Sequence, residues 1–431
     1  MYDSDQDKVE CPGCGEERYP GSACHSCGSP PFLTAKDVGV RVDDEPTIEL
    51  SPDQNSAMWK VVEWFRGGGG QPLTLGGYAG TGKTTIIKQI IREIGGTIAV
   101  AAFTGKAAHV LQRKGIKGAR TLHSLIYQPE TRCRECGAPM YSTTKCEITK
   151  HCPAAGVEVH FVSAPILEAD LVIIDEASMV SRDLHEDLQA YGVPTLYVGD
   201  HGQLEPIGAN PRLMLDPQIR LDQIHRQAEG SPIIRFAHHV RQHLDPETMG
   251  DQARVLHSGI APKDAHTYDI VLVGRNSTRV AMNRMIRRRL GFVSPLPEIN
   301  DRVICLRNDK DKGLFNGMLA TVKGVRMDDT VDDPEIDIVD DDGVPRNGLV
   351  FEPEQFGSED LLDNTSRKRQ LFDFGYALTV HKAQGSEWKR VLVLEWIHPK
   401  TSAARWRYTA ATRAVDELVW CMQAPRKRRP Q

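Results

Sequence analysis

The chain has 431 residues and a formal net charge of -5, with 40% hydrophobic and 26% charged residues. That length allows about three domains. No apolar run is long enough to span a bilayer, and the slightly negative charge excludes a protein that binds polyanions over its whole surface. The charges are segregated, however. Arg284, Arg287, Arg288 and Arg289 cluster, the chain ends in Arg426-Lys427-Arg428-Arg429, and Asp328 to Asp342 is acidic. A basic groove inside an acidic shell therefore stays open.

The N-terminus, MYDSDQDKVE, is acidic and polar, which predicts no signal peptide. Cys11, Cys14, Cys24 and Cys27 then form two C-x₂-C knuckles, and without a signal peptide these read as a tetrahedral zinc site. Residues 1–30 form a zinc-ribbon-like module too small to fold without its metal, followed by a polar linker over 31–46. A helix begins at Ser51-Pro52-Asp53, with Ser51 as N-cap and Pro52 in the first turn.

The next element carries chemistry. Pro72–Leu75 predicts a short strand, GYAGTGKTT follows over 77–85, and Thr85 to Ile94 has helical spacing that stops at Gly95-Gly96. Strand, glycine loop, Lys83 and helix in register form a phosphate cradle. Backbone N–H groups of Gly77, Gly80, Thr81 and Gly82 turn inward on phosphate oxygens. Lys83 reaches the β- and γ-phosphates, and Thr84 binds Mg²⁺ beside Thr85. The sequence therefore implies a nucleoside triphosphate, ATP, with Mg²⁺.

Further strands are expected at Thr97–Phe103, Leu171–Asp175, Thr195–Val198, Asp269–Val273 and Arg390–Leu394, separated by helices, which implies parallel sheets covered on both faces. Residues 128–165 interrupt this pattern with Cys133, Cys136, Cys146 and Cys152, a second candidate zinc knuckle in which His151 or His160 could replace one thiol. Both zinc sites read as structural. LVIIDEAS ends its strand on Asp175, a Mg²⁺ ligand, and Glu176, which positions and deprotonates the attacking water. Residues 300–368 read as short strands with glycine turns, a small β-barrel inserted before the last α/β elements. Cys305 and Cys421 sit in apolar runs and read as core residues.

At YVGDHGQLEPIG, 197–208, the chain resembles the superfamily 1 helicases, and an ordered series of motifs follows from about 50 to 420. Gln54 resembles the family's adenine-reading glutamine. AFTGKAA (102–108) and TLHSL (121–125) resemble its strand-contacting motifs. LDQIHRQ (221–227) places Arg226 as an arginine finger. GYALTVHKAQGSEW (375–388) resembles the fifth motif and RYTAATRA (407–414) the sixth, placing Arg413 as a second finger. Gln203 is implied as the γ-phosphate sensor, with Gly385 and Glu387 beside the nucleotide. Phe103, Thr104, Lys106, Thr121, His123, Arg275, Asn276, Thr379, His381, Lys382 and Gln384 are implied to line a single-strand groove, with contacts to phosphate that do not read sequence. The β-rich insertion, DRVICLRND…GLFNGMLATV, points to the RecD-like and Dda-like branch, which moves 5′ to 3′. That branch carries a strand-separating hairpin where this chain has its second cysteine group.

The resemblance implies two RecA-like α/β domains, 47–219 and 220–431, with an SH3-like barrel inserted over 300–368. It implies an ATP-dependent DNA helicase acting on single-stranded and forked DNA. The other readings are a DNA-stimulated ATPase that remodels or loads without processive unwinding, an RNA helicase, or a small-molecule kinase. The paired arginines and groove motifs argue against the last. A monomer in the cytoplasm of a bacterial or phage-infected cell is expected, with a replication or recombination protein docked through the zinc modules.

Overall fold

The computed structural model describes residues 38–43, 49–133, 157–164, 167–205, 211–222, 230–257, 261–309, 312–327, 333–362 and 369–422, with backbone alone at 9–10, 17–18, 129–132 and 157–161. The first sheet has six parallel strands in the order Ile219–Leu221, Leu73–Gly77, Thr195–Gly199, Leu171–Asp175, Ile98–Ala102, Arg120–Thr121. Its central strands are apolar throughout because helices cover both faces. Alternation divides them: Leu171 and Ile173 enter one core with Leu75, Ile86 and Ile90, while Val172 and Ile174 enter the other with Leu122, Leu184 and Tyr197.

The second sheet has five parallel strands in the order Ala253–Leu256, Ala414–Cys421, Trp388–Leu394, Ile270–Val273, Ala377–Thr379. It is two-faced in the same way, with Ile270 and Leu272 on one side and Val271 and Val273 on the other. Cys421 lies in this core and Cys305 in that of the inserted sheet, as expected. The first helix is Pro52–Arg66, with Ser51 and Gln54 forming a reciprocal capping box. Among the described residues no helix is long and apolar enough to cross a membrane.

The β-rich insertion is a five-stranded antiparallel sheet in the order Pro345–Val350, Glu335–Asp340, Leu319–Arg326, Arg302–Cys305, Phe372–Phe374. It extends beyond the expected limit of 368, because Phe372–Phe374 pairs with Arg302–Cys305 and no glycine turn marks that strand in the sequence. A parallel bridge between Phe351 and Gln370 brings its edges together. The first sheet likewise runs past 219, since Ile219–Leu221 pairs with the strand under the phosphate loop.

The two flanks of the 128–165 insertion, 128–133 and 157–164, are more ordered than their sequence suggests. Tyr127–Cys133 and Val157–Ser163 pair along their full length as an antiparallel ribbon, with Cys133 opposite Val157. Cys133 is buried at the ribbon's end. The other cysteines of both groups, Cys11, Cys14, Cys24, Cys27, Cys136, Cys146 and Cys152, lie outside the described residues, as does His151. Among the described residues no three His, Cys, Asp or Glu side chains gather to hold a metal.

The basic cluster on the helix Asn276–Leu290 divides. Arg284, Arg288 and Arg289 are exposed. Arg287 is buried and donates Nε and Nη2 to both carboxylate oxygens of Asp301, at 2.8–3.1 Å. One turn or two earlier, Arg279 pairs with buried Asp373. Asp301 precedes the inserted strand Arg302–Cys305 and Asp373 lies in its neighbour, so two buried ion pairs seat the insertion on this helix. Removing one partner leaves an uncompensated buried charge. Asp301→Ala is expected to cost about 3–5 kcal/mol in denaturant unfolding; a loss under about 1 kcal/mol would show that water or Glu298 takes over the guanidinium.

Candidate nucleotide cleft and nucleic-acid face

The strand Leu73–Gly77 delivers the loop Tyr78–Gly82 to the helix Lys83–Ile94. Gly82 caps that helix at φ 77°, a left-handed conformation open to glycine at little cost. The loop is braced from within. Thr81 donates its hydroxyl to the Tyr78 carbonyl at 2.8 Å, and Gln54 donates Nε2 to the Thr81 carbonyl at 2.9 Å. The Gln54 carbonyl oxygen meanwhile accepts from Ser51 N–H at 3.0 Å. The expected adenine reader is thus 3% exposed and already ties its own helix to the loop. Lys83 folds back onto the carbonyls of Gly77 and Tyr78, at 2.8 and 3.1 Å. An incoming phosphate must outbid those two carbonyls for the ammonium, which a dianion does readily.

Loop and acids open on one cleft of about 1520 Å³, lined by Gln54, Gly80, Gly82, Lys83, Thr84, Thr85, Asp175, Glu176 and Gln203 from the first half and by Gly385, Glu387 and Arg413 from the second. Gly77 and Thr81 support the loop from below. Asp175 ends its strand and accepts from Glu176 N–H at 2.9 Å. Burial raises its pKa while Lys83 opposes the shift. Glu176 sits at φ 55° and is pushed up to about 7, first by desolvation and then by the like charge of Asp175, against the pull of Arg413 and Lys83. Its Oε2 and the Oε1 of Gln203 are shut off from solvent without hydrogen-bond partners. Orphaned acceptors beside Thr84 and Asp175 fit a hydrated cation and a polarised water. Thr84 and Asp175 would hold Mg²⁺, which would supply neutralisation of phosphate charge.

The second half closes over the cleft through specific bonds. Arg413 is 4% exposed and donates to the Thr409 and Ser386 carbonyls and the Thr412 hydroxyl, at 3.0–3.1 Å. None of those acceptors is charged, so the guanidinium keeps its full charge for an anion. The turn after Thr195–Gly199 is gripped from the other side. Leu204 N–H donates to Thr409 Oγ1 at 2.9 Å, Gln384 Nε2 donates to the Leu204 carbonyl at 3.3 Å, and Arg405 pairs with Glu205 at 2.6 Å. Tyr408 donates its hydroxyl to Asp200 Oδ2 at 2.8 Å and accepts from Ala79 N–H at 2.9 Å. Arg226 lies outside the described residues.

The expected strand-contacting residues fall into three sets. Phe103 and His123 form an aromatic row with Tyr127, which was not among the expected residues, with ring centroids about 6 Å apart, leading to the ribbon. Arg275, Asn276 and Lys382 are exposed, Thr379 and His381 half-exposed, and the Arg275 guanidinium lies 4.0 Å over Trp396. The remaining set has its polar groups engaged by the protein itself or turned into the nucleotide cleft. Thr104 and Thr121 spend their hydroxyls as N-caps of Gly105–Arg113 and Leu122–Ile126. Gln384 is 3% exposed and bonded to the turn. Lys106 enters the nucleotide cleft, 4.6 Å over the Trp388 ring, where desolvation lowers its pKa to about 8. Tyr408, Asp200 and Trp388 were not singled out in the sequence as contact residues. Their only signal was a place inside the quoted motifs, since an aromatic or acid there reads as core or surface until the partner half is seen.

A base held near pKa 7 in the free protein should govern kcat/KM for ATP. The sign follows from the raised pKa: Glu176 is protonated and inactive below about pH 7 and ionised above it. Once corrected for the nucleotide's own titration, kcat/KM is expected to rise through pH 7, and Glu176→Gln to remove turnover at every pH. A flat profile from pH 5.5 to 8.5 would refute the assignment.

Comparison with known proteins agrees with the geometry. A family model described as an AAA domain matches residues 49–258, and one described as the UvrD-like helicase C-terminal domain matches 374–420. The chain is 28% identical over 425 residues to the ATP-dependent RecD2 DNA helicase of Deinococcus radiodurans, covering 88% of this chain and 51% of that protein. It thus spans about half the length of that relative. It is 26% identical over 380 residues to the ATP-dependent DNA helicase Pif1 of Bdellovibrio bacteriovorus, covering 79% of this chain and 80% of that one. Among solved structures, Pif1 helicases described at forked double-stranded DNA superpose with a TM-score of 0.55 at 20% identity, over 86% of this chain and 92% of that one. Bacteroides Pif1 bound to single-stranded DNA gives 0.54 at 19%, with the same coverage. Along most of its length the chain is thus similar to superfamily 1 helicases of the group that holds RecD and Pif1.

Proposed function

We propose that this chain is an ATP-dependent DNA helicase that moves along single-stranded DNA from 5′ to 3′ and opens duplex ahead of it. The observation that carries the reading is one cleft lined by Lys83 and Glu176 from one half and Arg413 from the other. Triphosphate cleavage needs little covalent help and much charge stabilisation. In this cleft Glu176 orients and deprotonates water, Lys83 leaves its loop carbonyls for the phosphates, and Arg413 neutralises charge on the γ-phosphate only when the halves are closed. Loss of that phosphate removes the contacts that favour closure. A strand held by both halves is then handed forward in each cycle.

The exposed Arg275, Asn276 and Lys382, with half-exposed Thr379 and His381 and the Phe103–His123 row, suit phosphate contact and base stacking without sequence readout. DNA rather than RNA follows from the relatives named for it. The antiparallel ribbon supports a strand-separating pin, with the second cysteine group as a zinc knuckle at its tip and the first as a separate zinc module. The bridged five-stranded insertion supports the SH3-like barrel of this branch, and the division into two RecA-like domains follows the two parallel sheets.

A fork with a 5′ tail is expected to be unwound and one with a 3′ tail left intact, with Lys83→Ala abolishing turnover on both. Activity from the 3′ tail alone would overturn the direction. Replacing 134–156 with a tight turn is expected to spare DNA-stimulated ATP hydrolysis and abolish unwinding; unchanged unwinding would refute the pin.

A further inference from the structure

Tyr408 lies in the helix Ala403–Ala411 of the second half, yet its hydroxyl is bonded entirely to the first. The side chain is fully buried. Its oxygen accepts the N–H of Ala79, a residue of the phosphate loop that lines the cleft, and its proton goes to Asp200 Oδ2. The same Asp200 oxygen accepts Gln203 Nε2 at 3.3 Å, and the other accepts Gly202 N–H at 2.9 Å. Gln203 thus has one end of its amide held by Asp200, while its Oε1 stands unpartnered inside the protein. One hydroxyl connects the loop that receives the nucleotide, the glutamine aimed at the cleft and the helix whose end leads into Arg413.

We infer that Tyr408 is a positioning residue that lets the second half read the γ-phosphate, by holding the Ala79 N–H and sharing Asp200 with Gln203. The arrangement is a competition. Asp200 Oδ2 has two donors, and the tyrosine hydroxyl, at 2.8 Å, is the nearer. While that bond is made, Asp200 holds Gln203 loosely and the amide can turn toward a phosphate oxygen. Without the hydroxyl, the carboxylate's remaining side-chain donor is Gln203, which is then held back, and the buried Ala79 N–H loses its partner. The hydroxyl stays protonated at working pH, because burial and the Asp200 charge raise its pKa far above the ordinary value. The ring has a separate task, packing edge-on at 6.1 Å to Tyr78, which in turn lies 3.7 Å under Arg241.

Tyr408→Phe separates the two tasks, since it keeps the ring and deletes the hydroxyl. Tyr376→Phe is the matched control. The Tyr376 hydroxyl likewise accepts a backbone N–H, from Arg302 at 3.0 Å, and donates to a carboxylate, Asp301 at 2.8 Å, without touching Ala79, Asp200 or the turn. The full chain would be titrated with ADP and with a non-hydrolysable ATP analogue in the absence of DNA. Tyr408→Phe is expected to lose about tenfold of the preference for the ATP analogue over ADP, the size of one hydrogen bond to a charged group. It is also expected to advance fewer bases per ATP consumed. Tyr376→Phe should melt at a lower temperature with both ratios unchanged. An unchanged nucleotide preference in Tyr408→Phe, whatever its melting temperature, makes the tyrosine a packing residue and overturns the inference. The base-per-ATP measurement rests on the motor reading above. If the parent chain hydrolyses ATP without response to DNA, that reading falls, and the nucleotide preference still decides the role of Tyr408.

Discussion

The cleft depends on a single turn, Asp200–Glu205, being satisfied by two bodies at once. The turn leaves the first sheet beside the phosphate loop, and its polar groups are met largely by the second half: Tyr408, Thr409, Gln384 and Arg405. Leu204 lies in the second half's core. Buried polar groups require partners, so the halves can part only where water takes over those bonds. Hydrogen bonds exchange with water at small net cost, unlike a broad apolar interface. The joint is therefore firm when dry and cheap to open at its edge, which suits the proposed cycle of closing and reopening.

The inserted sheet is attached by different physics. Toward its own half it is fixed by the buried pairs Arg287–Asp301 and Arg279–Asp373, which tolerate no exchange with solvent. Toward the first half it reaches through Asp342, which pairs with His109 and Arg113, both at 2.7 Å and part-exposed, while Phe315 stacks on His109 at 5.1 Å. Exposed pairs of this kind hold weakly. The insertion should move as part of the second half, sliding over the helix Gly105–Arg113. Lys106 on that helix, over Trp388, makes the link continuous with the nucleotide cleft.

Much of this was legible in the chain. The phosphate loop, the strand ending in Asp175, the capped helix at Ser51 and the other expected apolar strands follow from local rules, and the structure has them within a residue or two, whereas Arg120–Thr121, Ile219–Leu221, Ala253–Leu256, Ala377–Thr379 and Ala414–Cys421 were not expected as strands. The arginine cluster misled because charge alone cannot distinguish an exposed guanidinium from one facing a distant aspartate: Asp301 is fourteen residues from Arg287 and Asp373 is ninety-four from Arg279. The engaged set among the strand-contacting residues had a similar cause. A motif position states which residue is present, whereas Gln384 and Lys106 are turned by the opposite half. The ribbon was missed because its two strands stand far apart in the chain and only the second, with Val157, Val159 and Phe161, alternates apolar residues. Tyr408 could not be found from its own neighbours, since both of its hydrogen-bond partners lie more than two hundred residues away.

Glu176 is one of four described non-glycine residues with a positive φ, and it is the one that lines the cleft. Holding a side chain with a Cβ in that region costs on the order of 1 kcal/mol or more, and a glycine there would relax the backbone. The chain thus gives up stability at the point where it needs a carboxylate, and the strand Leu171–Asp175, paired on both sides, supplies the rigidity that keeps the twist from unwinding. Glycine or asparagine at this position would ease the twist and make a sturdier protein, at the loss of the carboxylate to which the proposed function gives the attacking water.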